Sequence, residues 1–377
     1  MSAVNSSAQF QPRGNGWRAW LGERMPIDVK IYEELAKEPI PRHMERWWFA
    51  LGGTPLVLFG IQAVTGILMT WYYVPRPEVA YASVARITNE ITFGWWVRGI
   101  HHWGSYLMIL SVVLHMIRTF TTGAYRKPRE LNWIIGTGLL FVTLAFAFSG
   151  YALVNDQLSY WATTVGSNLF AEIPIVGSTL LLMIRGGMAV TADTMTRLYP
   201  LHIGALPTAI VILIFLHVVL IRFHGVTDLD ARERERLARL GKPMPPPKPG
   251  APERTHFPFF PDHVMTELVI ALAVLIILVN LTILFPPTLG QMANPAETPT
   301  HIKPEWYFYP VFRWLKLVPL QVGIAGLIGG VALFVFWPFV DAFIERRLGQ
   351  RDLNVYIGLV AAVGALALIL WELFSLA

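Results

Sequence analysis

The chain has 377 residues, 54% of them apolar and 15% charged, with a mean hydropathy of +0.48, whereas a soluble chain spends about a quarter of its residues on charge. That composition excludes an ordinary soluble domain. Zero cysteines exclude disulfides, thiolate metal sites, cysteine-ligated iron–sulfur clusters and thioether-attached haem, and a net charge of +5 reads as basic membrane-flanking loops, with no nucleic-acid partner.

Residues 1–46 are polar and basic without an apolar core, so they are expected to lie outside the lipid, with the first apolar stretch directing insertion in place of a cleaved signal. Seven stretches then run without a charge: 47–75, 99–117, 131–155, 198–221, 268–296, 317–340 and 353–371. Each is long enough to span, because about 20 apolar residues cross a hydrocarbon layer of about 30 Å. The fold class expected is an all-α membrane protein with seven transmembrane helices. The third–fourth connection (156–196) carries Tyr160, Trp161, Leu169, Phe170 and Ile173, which short helices on the membrane surface would explain. Residues 228–262 hold a proline-rich run that cannot continue a helix. They divide the chain into an N-terminal segment (1–46), a four-helix unit (47–227), a linker (228–262) and a three-helix unit (263–377).

Of the 30 Lys and Arg residues, 22 fall on the side of the amino terminus and eight on the other. The positive-inside rule puts the larger set in the cytoplasm, and the 156–196 and fifth–sixth connections on the positive side.

Polar side chains inside apolar spans tend to be functional. His101 and His115 lie in the second stretch, and His202 and His217 in the fourth. Spacings of 14 and 15 residues are about 21 Å and 22 Å along a helix, with offsets of about 40° and 60°. Both helices enter from the same side, so His101 stands level with His202, and His115 with His217. Two facing imidazole pairs in a four-helix bundle are what two bis-histidine b-type haems require without any cysteine. Gly52 and Gly66, and Gly136 and Gly150, repeat the 14-residue spacing on the neighbouring helices and leave bare backbone at the same two depths. Arg98 precedes His101 by three residues and Arg118 follows His115 by three, each about one turn outward, where haem propionates need neutralising. Arg197 and Arg222 are more distant candidates. Adjacent His102 points about 100° away from His101 and cannot share its iron. His43, His256, His263 and His301 fall outside the spans and are expected at the surface or an interface.

The runs Arg98-Gly-Ile-His101, Leu-His115-Met-Ile-Arg118, Lys127-Pro-Arg-Glu-Leu131, Gly150-Tyr151, Ile173-Pro-Ile-Val-Gly177, Thr196-Arg-Leu-Tyr-Pro-Leu-His202 and Pro304-Glu-Trp-Tyr307 follow one another in a known order. From about residue 26 onward the sequence resembles the cytochrome b subunit of quinol-oxidising bc-type complexes. It looks most like cytochrome b6 fused to the three-helix subunit IV of b6f complexes. The resemblance implies two non-covalent b haems, of low potential at His101 and His202 and of high potential at His115 and His217. It also implies a positive-side quinol-oxidation site, a negative-side quinone-reduction site, a Rieske iron–sulfur protein and a c-type cytochrome as partners, a homodimer, and a bacterial cytoplasmic membrane with the amino terminus in the cytoplasm.

Glu305 sits in an apolar, aromatic setting that raises a carboxyl toward neutrality, and is the expected acceptor of a quinol proton. Tyr307 and Tyr151 are, by family position, walls of that pocket. The sequence departs from the b6 pattern at Ala50, where b6 proteins anchor an extra c-type haem through cysteine, so no covalent haem attaches here. It departs also at Val154-Asn155, where b6 carries Pro-Trp, and Ala162 stands where mitochondrial forms carry glycine. His224 is a candidate for proton uptake on the negative side or a plain surface histidine. Two other readings remain: a dihaem membrane anchor of a dehydrogenase, and a cofactor-free transporter whose histidines relay protons.

Overall fold

The computed structural model describes residues 38–229, 237–238, 241–243, 256–299, 302–348 and 353–375. Most of the expected N-terminal segment, the proline-rich part of the linker and His301 lie outside the described residues. The described chain is helical apart from a short antiparallel clasp, in which β1 (Pro39–Pro41) pairs with β2 (His256–Pro258). This clasp ties the chain ahead of the first helix to the chain ahead of the C-terminal helices.

The helices in order are α1 (Thr54–Thr70), α2 (Pro77–Asn89), α3 (Gly94–Thr121), α4 (Glu130–Ala152), α5 (Gln157–Ala171), α6 (Gly177–Arg185) and α7 (Ala192–Pro200). A π-helical turn, Leu201–Ala205, joins α7 to α8 (Leu206–His224). Then come α9 (Val264–Leu284), α10 (Tyr309–Leu317), α11 (Leu320–Val335), α12 (Trp337–Leu348) and α13 (Leu353–Phe374). Within this set α3, α4, the α7–α8 rod, α9 with its leading turn, and α13 are long and apolar enough to cross a membrane. The protein is a multi-pass membrane protein.

Two of the seven expected stretches differ from a simple span. In the first, residues 47–52 wind as a 3-10 turn and only the 17 residues of α1 form an α-helix, about 25 Å long. In the sixth, α11 and α12 meet at 73°. The bend has a chemical cause: Pro338 lacks the N–H that would bond the carbonyl of Phe334 four residues earlier. The indole of Trp133 supplies the missing donor, 2.8 Å from that carbonyl. Around it Phe120, Tyr125, Trp133 and Trp337 stack with ring centroids 5.2–6.1 Å apart, and Trp337 donates to the Tyr125 hydroxyl at 3.1 Å.

The short helices expected in 156–196 are α5 and α6, whereas α7 runs on into the α8 rod. Asp156 starts α5 by accepting the Ser159 N–H at 2.8 Å. α2 was not foreseen, although its buried Ala80, Ser83, Val84 and Ile87 recur at the period of one helix face. Chain 285–297 is sewn onto this layer. Tyr81 donates to the Gly290 carbonyl at 2.8 Å, and Gln157 exchanges bonds with Gln291, Asn294 and Glu297 at 2.6–2.7 Å.

α1 and α9 pack on α3, and α4 packs on α8. A single buried cluster holds Leu58, Ile100, Met108, Trp133, Ile210, Leu278 and Trp337, so the two halves share a core. One polar lock ties the halves together and a second fastens the C-terminal half to itself. Arg126 grips Asp341 at 2.7 and 3.2 Å. At the other end the fully buried Glu372 faces Arg313 at 3.3 Å and Lys316 at 3.4 Å, while Lys303 caps the carbonyls of Glu372 and Ser375 at 2.8 Å.

Removing one partner of a buried ion pair leaves the other charge desolvated, at a cost of about 3 kcal/mol. Asp341→Ala is therefore expected to lower the midpoint of chemical unfolding in detergent micelles by a corresponding amount. An unchanged midpoint would show that the Arg126 pair adds no stability.

Candidate functional site

α3 carries His101 and His115, and the rod through the π turn into α8 carries His202 and His217. The structure brings them together as the spacing predicts. The rings of His115 and His217 lie 6.5 Å apart, and His101 lies within electrostatic range of His202. The outer ring nitrogens are turned away from these pairs. Nδ1 of His101 meets Thr65 Oγ1 at 2.9 Å, Nδ1 of His202 meets Ser149 Oγ at 2.9 Å, and Nδ1 of His115 meets Arg118 at 3.2 Å. Such outer contacts fix a ring's orientation and leave Nε2 as the coordinating atom.

Each glycine in the 14-residue pattern stands against one imidazole. A Cβ would meet His115 Cε1 at 3.7 Å from Gly52, His101 Cε1 at 3.3 Å from Gly66, His217 Cε1 at 3.4 Å from Gly136 and His202 Cε1 at 2.7 Å from Gly150. The glycines admit the ligand rings themselves, one per ring.

The 15-residue interval between His202 and His217 had suggested a larger angular offset than on α3. The π turn Leu201–Ala205 removes that difference, since its i→i+5 bonding takes up one extra residue. His202 and His217 thereby keep nearly the relation that 14 α-helical residues give His101 and His115.

The residues fit a bis-histidine metalloporphyrin. Two metal–nitrogen bonds of about 2 Å plus the depth of each ring separate imidazole centres by about 6 Å, close to the His115–His217 spacing. Nε of Arg118 is buried without a partner. Arg118 lies over Phe49 with a donor to spare for an anion. Arg98 is engaged through one nitrogen by the Pro287 carbonyl at 2.8 Å.

A second cluster forms on the side of α5 and the 285–308 chain. Glu305 is half-buried, and its carboxylate accepts a hydrogen bond from Tyr106 on α3. Tyr307 and Tyr151 lie within electrostatic range of it, with the Tyr151 hydroxyl buried and unpartnered. Burial pushes the Glu305 carboxyl above the usual carboxylate range; the Tyr106 bond opposes this, and the charge of Asp156 adds to it. Burial and Glu305 push the Tyr307 phenol up. Tyr106 was missed from sequence. The signal available was a lone tyrosine hydroxyl in the middle of an apolar span.

The remaining candidates are engaged elsewhere. Arg197 donates to the Asp193 carbonyl at 3.0 Å, Arg222 pairs with Glu38, and His224 Nδ1 meets the Leu220 carbonyl at 3.1 Å. His102 stacks on Tyr106 with ring centroids 4.8 Å apart. His263, expected at the surface or an interface, is only 9% exposed and lies 3.4 Å from Glu267, because it leads directly into α9. Asn155 occupies the left-handed region at φ 55°, which asparagine tolerates, and its side chain ties the end of α4 to the Pro77 carbonyl at 3.0 Å.

The sequence profile described as cytochrome b/b6/petB matches residues 35–225, and the one described as cytochrome b(C-terminal)/b6/petD matches residues 292–372. The chain is 45% identical to cytochrome b6 of Heliobacterium mobile over 55% of its own length and 98% of that protein. It is 35% identical to the cytochrome bc complex cytochrome b subunit of Chlorobaculum thiosulfatiphilum, over 85% of this chain and 73% of that one. Among solved structures it resembles a chain of a hyperthermophilic respiratory Complex III with a TM-score of 0.74 at 25% identity, covering 93% of this chain and 96% of that one.

The glycine contacts predict a graded response. Gly150→Ala places a methyl 2.7 Å from the His202 ring and is expected to lower haem per chain, whereas Gly52→Ala, at 3.7 Å from His115, is expected to leave it at the wild-type value. Pyridine haemochrome assay of the purified variants reads the difference, and equal haem content in the two would refute it.

Proposed function

The chain belongs to the cytochrome b/b6 family as a cytochrome b subunit of bc-type complexes, and from that premise we propose that it binds two b haems and carries both quinone sites of its complex. This sets aside the dehydrogenase anchor and the cofactor-free transporter. The observation that carries the proposal is the pair of facing imidazoles at each of two levels, every ring backed by its own glycine.

His101 and His202 would hold one haem, and His115 and His217 the other. Arg118, with a free donor beside His115, would neutralise a propionate, and Arg98 would serve the first haem with the nitrogens Pro287 leaves free. When bound, the haem pair supplies one-electron transfer between the two faces of the membrane.

Quinol would be oxidised at the Glu305 cluster on the positive side, its second electron acceptor being a Rieske iron–sulfur protein that passes charge to a c-type cytochrome. Glu305 takes the proton: burial and the nearby charge of Asp156 raise its proton affinity, which suits it to accept. Tyr151 and Tyr307 wall the pocket. Quinone reduction, with proton uptake, would occur at the opposite end.

The proposed organisation follows. Residues 47–227 form the dihaem half, 228–262 a linker and 263–377 the quinol-site half. α1 and the bent α11–α12 pair count as spans, for seven in all. The amino terminus would face the cytoplasm of a bacterium, and two copies would pair within the complex.

Redox titration of the purified complex tests this reading: two b-haem transitions per chain are expected, and one or none would sink it. Glu305→Gln is expected to leave those transitions in place while cutting quinol oxidation by about a hundredfold, in the range for losing a positioned proton acceptor.

A further inference from the structure

Three residues of the Glu305 cluster are prescribed by the sequence pattern of its own segment, but the group that touches the carboxylate comes from a different helix. Tyr106 lies five residues beyond His101 on α3, and its hydroxyl donates to Glu305 Oε2. The ring has little freedom. His102 and Trp103 flank it with centroids 4.8 and 5.4 Å away, and Trp306 and Tyr307 close the other side at 6.2 and 6.1 Å. A phenol wedged between four rings presents its hydroxyl in one direction, and that direction is the carboxylate.

Three other tyrosines face Glu305. Tyr151 reaches over from α4 with its hydroxyl unpartnered, Tyr307 lies on the same segment as Glu305, and Tyr309 opens α10. Asp156, at the start of α5, is the charged group on the remaining side. Of these groups Tyr106 is the one whose side chain bonds the carboxylate.

We propose that Tyr106 is a positioning residue for quinol oxidation, holding the Glu305 carboxylate turned inward to receive the quinol proton and loosening its hold once the proton arrives. The proposal rests on the reading of Glu305 as proton acceptor. Hydrogen bonds to an ionised carboxylate are about twice as strong as those to a neutral group. While Glu305 is charged, the Tyr106 tether is therefore strong and the carboxylate stays aimed into the pocket. The proton passes from the quinol hydroxyl to the free oxygen of Glu305, the carboxyl becomes neutral, and the tether weakens. Tyr106 keeps its own proton throughout.

The tether also favours the charged form of Glu305, so its removal makes the carboxyl harder to ionise. The reaction needs the ionised form, which prevails above the Glu305 pKa. Loss of the tether must then shift the acid limb of the rate–pH profile to higher pH.

The test uses the intact complex, with reduced-minus-oxidised haem spectra reporting assembly. Tyr106→Phe removes one oxygen and keeps the ring, so a purely space-filling Tyr106 predicts no change. The expected result is an acid limb moved up by about one pH unit, which is about tenfold slower turnover at a fixed pH on that limb, together with a lowered alkaline plateau because the ionised carboxylate is no longer held in aim. Infrared titration gives a readout independent of turnover: the carboxyl band absent from Glu305→Gln is that of Glu305, and in Tyr106→Phe its protonation midpoint should rise. In the Glu305→Gln background, Tyr106→Phe should have no further effect. Should Tyr106→Phe fail to assemble, Glu305→Asp withdraws the carboxylate from the hydroxyl and should raise the same midpoint. Coincident limbs and midpoints in Tyr106→Phe and wild type, with Glu305→Gln impaired, overturn this proposal alone. A Glu305→Gln variant with wild-type rate overturns the proton-acceptor reading and this proposal with it.

Discussion

The facing histidine pairs depend on two helices staying in phase for the length of a bilayer. An imidazole that strays by one residue swings about 100° and misses its partner. α3 meets the requirement with an uninterrupted run of 28 residues. The opposing rod meets it by a different route, because Pro200 and the π turn Leu201–Ala205 lie at its upper ligand. The irregular turn restores the phase that the extra residue would have broken, and irregularities of this kind concentrate at functional sites. Thr65 and Ser149 make the arrangement rigid. Each hydroxyl also bonds a carbonyl of its own helix, Thr65 to Ile61 and Ser149 to Ala145, at 2.7 Å, so the ring is referenced to a neighbouring backbone.

The bundle and its histidine pairs were legible in the sequence because both are periodic. Charge-free stretches report contact with lipid, and intervals of 14 and 15 report face and depth. The same signals are blind to backbone direction. The run 317–340 has no charge whether or not it bends, and the bend arises from Pro338 together with a donor, Trp133, about two hundred residues away in the chain. The shortened α1, the clasp of β1 with β2 and the burial of His263 are likewise products of tertiary partners. Tyr106 escaped notice for a related reason. A tyrosine in a span reads as an apolar ring, and only the fold reveals that Glu305 stands within reach of its hydroxyl.

The Glu305 cluster is assembled from segments far apart in sequence, which explains the amount of polar stitching around it. Asp156 caps α5 and also accepts from the Gly290 N–H at 3.3 Å, so one carboxylate fixes both the surface helix and the chain leading to Glu305. On the far side Lys303, two residues before Glu305, is anchored to the carbonyl end of α13. Cations favour that end of a helix through its dipole. The Pro304–Tyr307 segment, irregular by itself, is thus held at both ends by regular structure.

α3 links the two chemistries. His101 and Tyr106 are separated by five residues, a rise of about 7.5 Å and a turn of about 140°. The imidazole therefore points into the bundle toward His202, while the phenol points outward to Glu305 beneath the 285–308 chain. In the proposed function a group that takes an electron and a group that takes a proton would both stand near one quinol without competing for the same space. Mounting their supports on nearly opposite faces of one rigid helix satisfies both demands. Any tilt of α3 would move the ligand and the tether together, so the distance between the two acceptors is set by the geometry of a single rod and not by the packing of several.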